Sequence, residues 1–83
     1  MKYSFSGVAK EQLKALSKKD AQRIADKIRF YTAQKDPFEF AKSLAGYKAY
    51  RFRVGDYRII FDVAGDSIYI LMIVKRDTVY RDL

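Results

Sequence analysis

The chain has 83 residues, 49% of them apolar and 16% aromatic, which is the size of one small domain with enough apolar material for a core. Seventeen Lys and Arg against ten Asp and Glu leave a net charge of +7, which favours a polyanionic or acidic partner. The absence of Cys and His excludes thiolate and Ser–His nucleophilic mechanisms and removes the usual zinc ligands, so no metal and no cofactor are expected. No apolar run approaches the ~20 residues of a membrane span. The opening MKYSFSGVAKEQ lacks the apolar stretch of a secretion signal, and a soluble cytoplasmic protein is expected.

In chain order, Met1 to Phe5 reads as an edge strand with Tyr3 and Phe5 on one face. Ser6 is a candidate N-cap for a helix from about Gly7 to Leu16, whose apolar residues Ala9, Leu13 and Leu16 recur at helical spacing. Ser17-Lys18-Lys19-Asp20 has the form of a capping box and predicts a second helix. Its stripe is Ala21, Ile24, Ala25, Ile28 and Tyr31, and it ends near Gln34, before Asp36-Pro37. Lys10, Lys14, Lys18, Lys19, Arg23 and Lys27 are spread over these helices and read as a solvated surface or a landing site for an acidic partner.

Phe38 to Gly46 fits either a short helical turn or a packed loop. From Tyr47 the period becomes two. Tyr50, Phe52 and Val54 alternate with Arg51 and Arg53, and Tyr57, Ile59, Phe61 and Val63 follow the Gly55-Asp56 turn. A second turn at Gly65-Asp66 leads to Ser67–Lys75, apolar on both faces as a central strand is. The expected architecture is α+β: a single β-α-α-β-β-β domain over residues 1–83, with an antiparallel sheet and a helical hairpin on one face.

If Gly55-Asp56 is a two-residue loop, Arg53 lies opposite Arg58 and Arg51 opposite Ile60. Tyr50, Phe52, Ile59 and Phe61 then face the core, and Arg51, Arg53 and Arg58 share the other side. Like charges placed opposite one another are destabilising, and a bound anion would relieve them. Arginine's forked guanidinium suits phosphate, so this face is a candidate phosphate site. Either Lys75 or Arg76 reaches it from the last strand, because a one-residue shift exchanges the faces.

The segment Gly46 to Phe61, GYKAYRFRVGDYRIIF, closely resembles the RelE/ParE toxin superfamily, with RFRVGDYRIIF its most specific part. The end, IVKRDTVYR, looks like that family's closing strand and terminal tyrosine, and Asp36-Pro37-Phe38 resembles its linker. The resemblance implies the toxin of a type II toxin–antitoxin module. RelE-like members cut mRNA in the ribosomal A site, whereas ParE-like members inhibit DNA gyrase. By position, Arg51, Arg58, Arg76 and Tyr80 match basic residues and the tyrosine on which RelE-like activity depends. They are the expected catalytic set, with Lys48, Arg53 and Lys75 as substrate contacts.

All four together favour the RelE branch. It implies a metal-independent endoribonuclease that works through the RNA 2′-hydroxyl. Its partners would be mRNA on the ribosome and a cognate, often acidic, antitoxin. The alternatives are a ParE-like gyrase inhibitor, or a toxin that binds antitoxin or RNA without cutting. Three positions depart from the pattern: Lys75 stands where many relatives carry His, Ala49 where the best-known ribosome-dependent type carries Lys, and Arg51 in place of Lys; no Glu stands near the site to act as a base.

Overall fold

A computed structural model describes residues 1–44, 46 and 48–75. Strand β1 (Lys2–Phe5) leads into helices α1 (Gly7–Ala15) and α2 (Lys18–Ala33). A 3-10 turn at Pro37–Phe40 precedes β2 (Ala41–Ser43), and β3 (Tyr50–Val54), β4 (Tyr57–Ala64) and β5 (Ser67–Lys75) complete one sheet in the order β1-β5-β4-β3-β2. The α+β arrangement expected from the pattern is present, with two additions. β1 joins β5 in parallel, which makes the sheet mixed, and the ambiguous stretch after Pro37 supplies both the 3-10 turn and an extra edge strand.

Helix boundaries follow the capping chemistry. Ser6 Oγ accepts from Ala9 N–H at 3.0 Å, and Ser17 Oγ accepts from Asp20 N–H at 3.1 Å. Asp36 is pushed out of helical geometry by Pro37, and its carboxylate accepts from Phe38 N–H at 3.0 Å to start the 3-10 turn. The two hairpin loops carry glycine at their first central position, Gly55 at φ +58° and Gly65 at φ +60°, conformations an L-residue adopts only with strain.

The core lies between the helical hairpin and one sheet face. Ala9, Ile24 and Ile28 from the helices meet Phe52, Val54, Ile59, Phe61, Ile68, Ile70 and Ile73 from the strands. Phe52 and Phe61 stack with centroids 4.4 Å apart, and Tyr31 leans on Phe52 at 4.8 Å. Among the described residues no helix is long and apolar enough to cross a membrane.

β5 does not alternate simply. Phe61 pairs with Ile70 but Ile60 pairs with Met72, so Leu71 is an extra residue in a β-bulge. The bulge lets Ile68, Ile70 and Ile73 all enter the same core despite their uneven spacing. Ser6 holds it in place: its N–H donates to Ile70 O at 2.8 Å and its hydroxyl donates to Leu71 O at 2.7 Å. Beyond β1, Ile73 N–H donates to Gln12 Oε1 at 2.6 Å. Ser6→Ala removes a helix cap and a bulge contact together. It is expected to cost about 1–2 kcal/mol, read as a lower urea midpoint at unchanged slope.

Candidate functional site

The hairpin register is the one expected from its loop. Arg53 pairs with Arg58, Arg51 with Ile60 and Phe52 with Ile59. Opposite residues share a face, so the buried Phe52 and Ile59 set the helix side and place Arg51, Arg53 and Arg58 on the other. In a two-residue hairpin the closing Val54–Tyr57 pair is the hydrogen-bonded one. The next pair, Arg53–Arg58, is then of the closer type, with Cα atoms typically ~4.5 Å apart.

β2 adds a residue that the strand pattern does not announce. Lys42 pairs with Arg51 and therefore stands on the same face, exposed. Lys42, Arg51, Arg53 and Arg58 form one cationic corner spanning β2, β3 and β4. A three-residue strand has no readable period, and only the pairing with β3 brings Lys42 into the group. Ile60, fully buried, lies on this face in the Lys42–Arg51 row, and Met72 continues that row on β5. Arg53 is exposed, whereas Arg51 and Arg58 are half-buried.

Asp62 and Asp66 lie apart from this corner. Asp62 shares the face but sits four residues along β4 from Arg58, about 13 Å at strand rise. Its side chain accepts from the N–H of Val63. Asp66 lies in the turn at the far end of β4. The ion pairs among the described residues, Glu11–Lys14 and Asp26–Arg29, lie on the helices. Such a corner can hold an anion and stabilise added negative charge on it.

The other expected site residues are placed differently. Lys75 pairs with Tyr57, on the helix side of the sheet and away from the arginines. The bulge is the cause: without the extra residue at Leu71, Val74 would take that place and Lys75 would change faces. Lys48 is exposed in the bend before β3. Arg76 and Tyr80 lie outside the described residues. Among the described residues no group of His, Cys, Asp or Glu is arranged to hold a metal ion.

Contacts from α2 hold the hairpin tip beside this corner. Tyr57 hydroxyl donates to Asp20 Oδ2 at 3.1 Å, and a Cβ on Gly55 would lie 2.7 Å from Arg23 Nη1. Partial burial first, then the hydrogen bond to Asp20 and the negative charges of Asp20 and Asp56, raise the Tyr57 phenol above its ordinary value of 10. The sign follows: the bond's contribution is fully present below pH ~10 and is lost as pH rises through the higher folded value. Ultraviolet titration of the folded protein should show a late-ionising component from Tyr57, which Tyr57→Phe should remove.

The sequence matches the family model for the ParE toxin of the type II toxin–antitoxin system parDE over residues 3–80. The chain belongs to this toxin family. Solved structures agree on the superfamily. The toxin is 28% identical to a chain of the RelB–RelE antitoxin–toxin complex of Methanococcus jannaschii, with a TM-score of 0.72 over 92% of this chain and 93% of that one. The RelE–RelB complex of Pyrococcus horikoshii gives 25% identity and a TM-score of 0.74 over 94% and 97%. The chromosomal ParDE system of Pseudomonas aeruginosa shares the fold at 18% identity, with a TM-score of 0.72 over 90% and 95%. No curated protein matches the sequence.

Proposed function

We propose that this toxin is a ribosome-dependent endoribonuclease that cleaves mRNA in the A site, and that a cognate antitoxin restrains it. The observation that carries the reading is the cationic corner: Arg53 set opposite Arg58, with Arg51 and Lys42 in the adjoining row. Guanidinium groups gathered on one face of the sheet suit the forked recognition of a phosphate.

The chemistry follows from RNA itself. The 2′-oxygen attacks the adjacent phosphorus, the bond to the 5′-oxygen breaks, and the products are a cyclic phosphate and a 5′-hydroxyl end. The extra charge at phosphorus in the transition state is met by guanidinium groups, which keep their charge at neutral pH. Arg58 is assigned to the scissile phosphate, and Arg51 and Lys42 to the substrate strand. Arg76 and Tyr80 complete the set by resemblance, with Tyr80 stacking on a base or assisting proton transfer. The ribosome supplies the alignment of the 2′-oxygen with the leaving oxygen.

The family model, which describes a ParE toxin, favours a second reading: a gyrase inhibitor that binds without catalysis. A ribosome-programmed mRNA cleavage assay read by primer extension separates the two. Cuts within A-site codons are expected. No cuts by folded toxin, together with inhibition of gyrase supercoiling, would replace the first reading with the second.

A further inference from the structure

Two phenols tie α2 to the strands that carry Arg53 and Arg58, one to each strand. On β4 the Tyr57 hydroxyl donates to Asp20 Oδ2 at 3.1 Å, and Tyr57 is the residue before Arg58. On β3 the carbonyl of Arg53 itself accepts from the Tyr31 hydroxyl at 3.4 Å. Asp20 and Tyr31 both belong to α2, so one helix holds both members of the arginine pair.

The strand pairing explains why these positions are within reach. Arg53 and Arg58 form a pair without ladder bonds between them, so the Arg53 carbonyl points away from β4. The β2 ladder ends at Ala41–Phe52, one residue short of Arg53, and the Tyr31 hydroxyl meets the carbonyl instead. Tyr57 alternates with Arg58, so its side chain lies on the helix side of the sheet. Arg23, one turn beyond Asp20, lies over Gly55 in the loop between the two strands.

The anchor points are fixed in their turn. Ile24 and Ile28 bury α2 in the core, and the Tyr31 ring lies against Phe40 at 4.9 Å and Phe52 at 4.8 Å. Asp20 N–H donates to Ser17 Oγ in the cap of the same helix. Buried Val54 also holds the hairpin tip, but apolar packing is non-directional. The two hydroxyl bonds are directional and fix where each strand stands. Displacing a reacting group by about 1 Å can cost a hundredfold in rate.

We propose that Tyr57 and Tyr31 are positioning residues for the cationic corner, Tyr57 acting through Asp20 to place Arg58 and Tyr31 acting on the backbone of Arg53. Their effect on cleavage rests on the function proposed above. The Tyr57 side chain lies on the helix side and Tyr31 belongs to α2, so both act through strand placement rather than on substrate. Half-buried Arg58 is assigned to the scissile phosphate, so loss of the Tyr57 bond slows the chemical step. Arg53 stands exposed at the rim, so loss of the Tyr31 bond weakens substrate binding.

The test uses Tyr→Phe variants, which remove one hydroxyl and keep the ring packing. In single-turnover cleavage of ribosome-bound mRNA, Tyr57→Phe should lower the maximal rate about five- to tenfold and change half-saturation by less than about twofold. Tyr31→Phe should do the reverse. Asp20→Asn keeps an acceptor for the phenol and should retain most of the rate. Asp20→Ala should match Tyr57→Phe, and the Asp20→Ala/Tyr57→Phe double variant should lose no more than either alone. A second readout needs no ribosome: nuclear magnetic relaxation dispersion of the free toxin should show added motion at Arg58 in Tyr57→Phe and at Arg53 in Tyr31→Phe. Wild-type kinetics in both phenylalanine variants, an Asp20→Asn toxin as slow as Asp20→Ala, or a double variant that loses the product of the single losses would overturn the proposal. A toxin that never cuts, yet gains motion at each arginine in the matching variant, defeats only the nuclease and leaves the positioning roles standing.

Discussion

Arg58→Ala is expected to lower ribosome-dependent mRNA cleavage by about 10²–10³-fold, the loss typical when one donor to transition-state charge is removed. Arg58 is central to the corner: its strand position faces Arg53, and it is half-buried between the neighbouring strands, where charge is less screened than at the rim. Arg53 is exposed, and Arg53→Ala should act mainly through weaker substrate binding. The split between kcat and KM in single-turnover and multiple-turnover assays tells the two apart. Arg58→Lys keeps the charge and loses the forked geometry, so an intermediate rate is expected if bidentate contact matters. Thermal melts of each variant check that the fold survives. Wild-type cleavage by a folded Arg58→Ala toxin would remove this residue from the mechanism.

Phe52→Ala is expected to have the largest effect on stability, a loss of about 3–5 kcal/mol. Phe52 is fully buried and lies against two rings, Phe61 at 4.4 Å and Tyr31 at 4.8 Å. It belongs to the same strand as Arg51 and Arg53, so its packing also holds the cationic corner in register. At roughly 0.05–0.15 kcal/mol per residue, a domain of this size has about 4–12 kcal/mol in all, so that loss removes a quarter of it or more. Urea unfolding followed by far-ultraviolet circular dichroism should show a much lower midpoint than the wild type. Val8→Ala, at a position 58% exposed, should change stability by no more than about 0.5 kcal/mol. Similar losses in the two variants would mean that the aromatic stack does not dominate the core.

Much of this fold is legible because local chemistry and pattern agree. Ser6 and Ser17 announce the helix starts, Asp36-Pro37 announces the break, and Gly55-Asp56 fixes a loop length from which the β3–β4 register follows. The face shared by Arg51, Arg53 and Arg58 could therefore be read from alternation alone. Lys42 could not. Ala41–Ser43 is too short to show a period, and its strand character exists only because β3 offers it a partner.

Lys75 marks the boundary between the two kinds of information. Its neighbours Ile68 to Val74 are apolar at every position, so hydrophobic patterning leaves the register of β5 open. The bulge at Leu71 closes it, because the core takes Ile70 and Ile73 together while Ser6 binds the carbonyls of Ile70 and Leu71. Those contacts join residues about 65 positions apart in the chain. By itself the sequence determined the elements, the hairpin loop and the sign of the charge on the sheet face opposite the helices, since each depends on neighbours within a few residues. The membership of Lys42 in that face, the exclusion of Lys75 from it and the parallel entry of β1 were decided only by tertiary structure, because strand pairing and bulges depend on which distant backbone groups are left to be satisfied.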